Sequence, residues 1–266
     1  MRNIKRKALI LTVKPQGENN RLITFLTKEE GLLTSLLYGG PKSRLRSLVS
    51  PWNFGELNLY NDEVRHLSKI TDFDVEKYHP TFRESLYKTM AANVSTEIVM
   101  LTKCAGSNEE CFTLLNGFLD GLDILDEQEG KKGLIRFLFR YLALLGIQPG
   151  DFRCIKCKSP FYSGNSLKND VIYKSGGAFY SQSENGFICS DCVKSLFENS
   201  EKKHLFELTP KAVSYLEATS TCEPSVSRKM QLTAEEILAL QGLVFSLISS
   251  GVGTKIKSLQ SGIGIL

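Results

Sequence analysis

Histidine and tryptophan are scarce in this chain: three histidines and one tryptophan in 266 residues. His66, His79 and His204 are scattered, and none stands beside a serine or cysteine in a nucleophile motif. Each is expected to be a surface or satisfied core residue rather than a catalyst. No GxGxxG fingerprint and no HExxH motif occurs. Gly251-Val252-Gly253-Thr254-Lys255 approaches a phosphate loop and fails it, because Thr254 separates Gly253 from Lys255 and the run follows a helical pattern. The paired carboxylates Glu109-Glu110 and Glu235-Glu236 read as helix-start charges favoured by the macrodipole. Nothing here argues for an enzyme.

Long apolar runs are missing as well. Arg2, Lys5, Arg6 and Lys7 precede Ala8 to Val13, but that run stops at Lys14-Pro15 without a small-residue cleavage site. No stretch approaches the roughly 18 apolar residues of a membrane span. The expectation is a cytoplasmic, nucleoid-associated protein without membrane contact, whose thiols stay reduced. Cys104, Cys111 and Cys222 then read as free cysteines, the first two on helices.

Acidic residues are sparse at one end. Residues 1–50 hold ten Lys/Arg against three Glu, a net +7, which leaves 23 basic and 26 acidic residues beyond them. The whole positive excess therefore lies in the first fifth of the chain, which points to a polyanion partner for that part. With 42% hydrophobic and 23% charged residues, the chain is globular and long enough for two domains.

The sharpest chemistry is in four cysteines. Cys154-Ile155-Lys156-Cys157 and Cys189-Ser190-Asp191-Cys192 are two Cys-x-x-Cys turns, the ligand pattern of a tetrahedral zinc site. The alternatives are two disulfides, a redox dithiol or four free thiols, and a reducing compartment disfavours the first. A full shell of four thiolates leaves no open position, so one Zn2+ per chain would be structural. Arg153, Lys156, Lys158 and the turn amides are placed to offset the formal charge of the cage.

In chain order, residues 4 to about 75 read as some five short strands: Ala8 to Val13, Leu22 to Thr27, Leu32 to Tyr38, Leu57 to Tyr60 and Val64 to Phe73. Gly39-Gly40-Pro41-Lys42-Ser43 is a loop. Close turns between short strands suggest a small barrel, an OB-fold being the commonest of that size, with another small barrel as the alternative. After His79-Pro80 the apolar spacing becomes helical. Stripes at Phe82 to Leu101, Phe112 to Leu125 and Leu134 to Leu145 give three helices, the last ended by Gly146 and Pro149. Helices resume from Thr209 or Pro210 to Leu216 and from Thr233 to Ser249. The expected fold is α+β: residues 1–78 form a basic barrel, and 79–266 a helical domain with a zinc-ribbon-like insert at about 150–195.

This arrangement resembles the bacterial RecO family of DNA repair and recombination proteins, and the resemblance runs the length of the chain. Lys5-x-x-Ala8-x-x-Leu11, Gly17-Glu18-x-Asn20-Arg21-Leu22-Ile23 and Leu26-Thr27-x-Glu29-x-Gly31 are similar to the family's opening. Gly39-Gly40-Pro41-Lys42-Ser43-Arg44 stands at its Gly-rich basic loop. Arg136-Phe137 through Leu145-Gly146-Ile147-x-Pro149 resembles its central helix, although Leu138 and Ala143 stand where acidic residues are more usual. Gly186-Phe187-x-Cys189-x-x-Cys192 is similar to its second zinc half, and Lys257-Ser258-Leu259 to its C-terminus.

The resemblance implies a recombination mediator that binds single- and double-stranded DNA and anneals complementary strands. It further implies work with RecR, and in some cases RecF, to load RecA onto DNA coated by single-stranded DNA-binding protein. The DNA surface is expected on the barrel, centred on Arg2, Lys5, Arg6, Lys7, Arg21, Lys42, Arg44 and Arg46, with Tyr38 and Trp52 as candidates for stacking. Lys132, Arg136 and Arg140 are spaced by four and line one stripe beside Phe137, Leu138, Tyr141 and Leu142. That stripe is expected to receive the acidic C-terminal tail of the single-stranded DNA-binding protein. The rival readings are a zinc-ribbon transcription or RNA-binding factor and, disfavoured by the closed cysteine shell, a metalloenzyme.

Overall fold

The computed structural model describes residues 2–40, 43–62, 64, 67–163, 172–196 and 205–260. The chain divides into two compact units, Met1–Gly130 with Ile256–Leu266, and Lys131–Lys255.

The first unit begins with a closed five-stranded barrel of strand order β1-β2-β3-β5-β4. Its strands are β1 (Arg2–Gln16), β2 (Asn20–Thr27), β3 (Gly31–Leu37), β4 (Phe54–Asp62) and β5 (Leu67–Lys77). All pairings are antiparallel except β3–β5, which meet in parallel through Leu36 and Lys69. This is the OB-type barrel expected, with longer strands. β1 reaches both neighbours because a register shift between Ile10 and Thr12 bends it, so that one half pairs with β4 and the other with β2. Alternation then turns Ala8, Ile10, Leu57, Leu59 and Ile70 into the core. Gly55 is required where β4 and β5 approach closely, since a Cβ there would lie 2.0 Å from the carbonyl oxygen of Asp74.

Between β3 and β4 the structure adds a short helix, α1 (Arg44–Leu48), directly after the expected loop Gly39 to Ser43. Leu45 and Leu48 pack on the barrel core with Val49, which leaves Arg44 exposed and Arg46 half-buried. After the barrel, the stripe expected as one helix from Phe82 to Leu101 is split. Pro80–Arg83 is a 3-10 turn, and α2 (Leu86–Thr102) restarts because the Ser85 side chain accepts from the Lys88 N–H at 3.3 Å. α3 (Asn108–Ile124) and the first turn of α4 (Glu127–Leu144) follow. Trp52 is committed inside this unit: its Nε1 donates to Thr96 Oγ1 at 3.1 Å and its ring meets Phe82 edge-on at 5.5 Å. His79 is a satisfied core residue, between the Trp52 carbonyl (2.8 Å) and Asp120 (3.2 Å). His66 and His204 lie outside the described residues.

The second unit holds the rest of α4, two short strands β6 (Tyr162–Ser163) and β7 (Ile172–Tyr173), and a three-stranded sheet of order β10-β8-β9. The sheet comprises β8 (Ala178–Ser181), β9 (Gly186–Cys189) and β10 (Leu205–Leu208), and α5 (Ser190–Leu196) leaves β9 directly. α6 (Pro210–Thr221), α7 (Pro224–Lys229) and α8 (Ala234–Val252) complete it. α8 opens on a capping box of Thr233 and Glu236. It also corrects the expectation of no span-length stretch, since its 19 residues have a mean hydropathy of 1.3. Here that hydropathy serves packing: Ile237, Leu240, Leu243, Val244, Leu247 and Ile248 are buried. Finally α9 (Lys257–Gln260) belongs to the first unit. Its free N–H groups are taken by the Glu97 carboxylate of α2, at 2.9 Å from both the Lys257 and Ser258 amides and 2.5 Å from Ser258 Oγ.

Candidate nucleic-acid interface and metal centre

The basic residues of the barrel fall into two groups. Lys5 and Lys7 alternate outward on β1, where β4 and β5 supply carboxylates. Lys5 pairs with Glu56 at 2.6 Å, and Lys7 pairs with Glu76. Both ammonium groups are held above the usual lysine range, first by the hydrogen bond to that carboxylate. Arg6 alternates inward, and its Nε donates to Glu30 at 2.6 Å. These three cations are locally neutralised.

Arg21, Arg44 and Arg46 have no ion-pair partner among the described residues. Arg21 at the start of β2 and Arg46 on α1 are close enough to repel. The Arg21 guanidinium is depressed by burial and then by the charge of Arg46. Tyr38, at the end of β3, stands 45% exposed beside the Gly-rich loop. Arg21 and Arg46 thus form an adjacent pair without carboxylates, while Arg44 on α1 lines a groove with Lys5, Glu56, Asp72 and Asp74. Nothing is described for the side chain of Arg2, and Lys42 lies outside the described residues.

On α4 the stripe Phe137, Leu138, Tyr141 and Leu142 is buried, each at most 2% exposed. Lys132 and Arg136 are buried with it, at 2% and 6%. Arg136 donates from Nη1 to Tyr215 Oη at 2.9 Å, and Tyr215 Oη donates to the Lys132 carbonyl at 3.2 Å. Arg140, half-buried, donates from Nε to the Thr219 carbonyl at 2.9 Å. Arg136, Arg140 and the Lys132 carbonyl thus tie α4 to α6, and of the three side chains only that of Arg140 keeps access to solvent. Burial, then the charges of Arg136 and Arg228, hold the Arg140 guanidinium below its ordinary range. That marks a local excess of positive charge which spacing on one helix did not show, because Arg228 comes from α7.

The four cysteines converge. Each Sγ of Cys154, Cys157, Cys189 and Cys192 lies within 4.8 Å of the other three, and none forms a disulfide. Cys157 Sγ and Cys189 Sγ are 3.8 Å apart. A tetrahedron with metal–sulfur bonds of about 2.3 Å has edges of about 3.8 Å, so the cage fits a zinc-sized ion. Lys158, in the left-handed region at φ 60°, turns the first knuckle, with its N–H on the Cys154 carbonyl at 2.7 Å. The second hairpin is registered on the first by the Ile155 N–H to the Phe187 carbonyl at 2.8 Å. Gly186 allows that approach, because a Cβ there would lie 2.4 Å from the Ile155 side chain. The Cys189 N–H donates to Cys154 Sγ at 3.4 Å, one of the amide contacts expected to offset thiolate charge. Lys156 is engaged elsewhere, with Glu184 at 2.8 Å.

The thiols are electrostatically divided. Hydrogen bonds from the Ser159 side chain and amide hold Cys157 at about 6, while burial and the neighbouring sulfurs push Cys192 to about 12. Four sulfurs this close cannot all ionise without a cation among them. Cys154, Cys157, Cys189 and Cys192 are therefore positioned to bind a metal ion.

A closed OB-type barrel followed by a helical unit with a four-cysteine cage defines a two-part protein of barrel and metal-ready insert. The comparisons identify the family. Residues 1–79 match Recombination protein O N terminal and residues 83–260 match Recombination protein O C terminal, so the chain belongs to the RecO family. It is 24% identical over 257 residues to DNA repair protein RecO of Desulfatibacillum aliphaticivorans, covering 95% of this chain and 93% of that protein. It is 28% identical over 196 residues to the same-named protein of Pelotomaculum thermopropionicum, covering 73% and 70%. With that of Heliobacterium modesticaldum the identity is 30% over 162 residues, covering 60% and 58%.

Proposed function

We propose that this chain is a non-catalytic recombination mediator, in which residues 1–78 act as the DNA-binding domain and 79–266 as the helical domain with its metal insert. It binds single- and double-stranded DNA through phosphates, anneals complementary strands, and with RecR and in some settings RecF promotes loading of RecA onto coated DNA. The observation that carries this reading is that Arg21, Arg44 and Arg46 have no ion-pair partner among the described residues and Tyr38 is exposed, on a barrel whose Lys5, Arg6 and Lys7 are neutralised. Such a surface holds the backbone without reading sequence and leaves base edges free to pair. Arg2 and Lys42 are further phosphate contacts in this reading, and Lys5, Arg6 and Lys7 contribute only by exchanging carboxylates for phosphates. The metal is zinc and structural, since four thiolates leave no position for substrate. The acidic tail of the single-stranded DNA-binding protein docks by its aspartates at Arg140 and Arg228, where positive charge is in excess. The protein acts in the cytoplasm on the nucleoid.

The test is annealing of two labelled complementary strands coated with single-stranded DNA-binding protein. The protein should accelerate duplex formation without nucleotide hydrolysis, and Arg21→Ala/Arg44→Ala/Arg46→Ala should abolish the acceleration while remaining folded. No acceleration by the wild-type protein, combined with tight binding of one particular RNA or promoter sequence, would establish the rival transcription- or RNA-binding reading.

A further inference from the structure

One end of the barrel is built from the wrong residues for a sealed core. The alternation that buries Ala8, Ile10, Leu57 and Leu59 continues along the same strands to Arg6 on β1 and Asn61 on β4, and places Ser35 and Ser68 at the same level of β3 and β5. The barrel closure is sparse there: among the described residues the first residues of β1 pair with β4 alone, and β3 pairs with β5 at Leu36 and Lys69 alone. In this seam lies a cavity of about 140 Å3. Phe25, Leu33 and Leu59 give it an apolar floor, and Ser35, Asn61 and Ser68 a polar rim. Arg6, fixed by Glu30, stands beside them.

The polar rim has a defined hydrogen-bond sense. Ser68 Oγ donates to Asn61 Oδ1 at 2.7 Å, so the hydroxyl of Ser35, 2.5 Å from Ser68 Oγ, must donate to Ser68. That leaves the Ser35 oxygen as an acceptor and the Asn61 amide nitrogen as a donor with no partner among the described residues. An adjacent donor and acceptor above an apolar floor match the carbonyl and N3–H of thymine. Size agrees: a cavity of about 150 Å3 holds benzene, so this space of about 140 Å3 accommodates one six-membered ring.

We propose that this seam is a subsite for a single unstacked pyrimidine of a bound strand, with thymine fitting best. The inference rests on the DNA-binding reading above and adds a base contact to it. One captured base would pin the strand while its neighbours remain held by phosphate alone, free to pair.

The experiment compares anisotropy titrations of oligothymidylate of about 15 nucleotides and an abasic oligomer of equal length. Both are run over a salt series with wild type, Ser35→Leu and Asn61→Asp. Ser35→Leu fills the cavity; Asn61→Asp keeps size and the bond from Ser68 but removes the amide donors. The wild type should prefer oligothymidylate by about tenfold, and either variant, folded by circular dichroism, should lose most of that ratio with an unchanged salt slope. Should Ser35→Leu fail to fold, Asn61→Asp decides alone. A wild type that binds both oligomers equally, with a steep salt slope, overturns the pocket and leaves phosphate binding standing. A preference that survives both substitutions overturns it equally. Absence of salt-dependent binding to either oligomer removes the DNA reading itself, and the subsite with it.

Discussion

Replacing Arg21, Arg44 and Arg46 by alanine together separates phosphate binding from a merely solvated basic face. Each guanidinium that meets a phosphate contributes about 0.7 to the slope of log affinity against log salt on single strands, and about 0.9 on duplex. Because none of the three is neutralised by a carboxylate within the described residues, the full contribution of each is available. The triple variant should therefore flatten the slope by about 2 on single strands and about 2.7 on duplex, and lose about 100-fold in single-strand affinity at about 0.1 M salt. The control is Lys5→Ala with Lys7→Ala. These ammonium groups are already held by Glu56 and Glu76, and reach a phosphate only by leaving a carboxylate, so the slope should change by less than about 1. Anisotropy titrations at several salt concentrations, on variants shown folded by circular dichroism, give both numbers. An unchanged slope in the triple variant refutes the site. Equal losses in both variants refute the reasoning, since internal ion pairs would then not decide which cations meet DNA.

Elemental analysis should find one zinc per chain, and Cys189→Ser or chelation should lower the melting temperature more than it lowers DNA affinity per folded molecule. Tyr215→Phe should cost about 1–3 kcal/mol by chemical denaturation, because it strips Arg136 of its buried acceptor. Burial pushes the Glu97 carboxyl up, but hydrogen bonds from the Ser258 side chain and amide and from the Lys257 amide, with the Lys257 charge, leave it below its ordinary value. Its folded pKa thus lies under the unfolded one, so its contribution is present above about pH 4.3 and lost as pH falls through the depressed value. The protection of the Ser258 amide, taken relative to its intrinsic exchange rate, should fall with acid in the wild type, and be low at all pH values in Glu97→Ala.

What could be read from the sequence was whatever is local. Periodicity located the strands and long helices, and two Cys-x-x-Cys turns announced a metal cage because each ligand pair lies within one turn. Partners distant in sequence stayed hidden. Glu56 and Glu76 stand 51 and 69 residues from the lysines they neutralise, and Tyr215 stands 79 residues from Arg136. A count of charges over residues 1–50 therefore overstated the β1 lysines, and a stripe on α4 looked like an open cationic row. α1 was hidden because the breakers before it dominate its five residues. The one missed signal that was present is Glu223-Pro224, a proline placed to start a helix, which opens α7.

The paired lysines also bear on where a strand can run. Glu56, Asp72 and Asp74 line one groove of about 490 Å3 with Lys5 and Arg44. Three carboxylates against Arg44 and one paired lysine leave that groove net negative, and its repulsion of a phosphate backbone acts over about 10 Å at 0.1 M salt. A strand held by Arg44 and Arg46 is therefore turned away from the outer β4–β5 face, and towards Arg21 and Tyr38. The acidic residues that lower the barrel's net charge thus do more than solubilise it: they give a sequence-independent binder a preferred path. Exchanging Asp72 and Asp74 for asparagine should strengthen binding at low salt, with the gain fading as salt rises. Weaker binding after that exchange would place the strand across the groove instead.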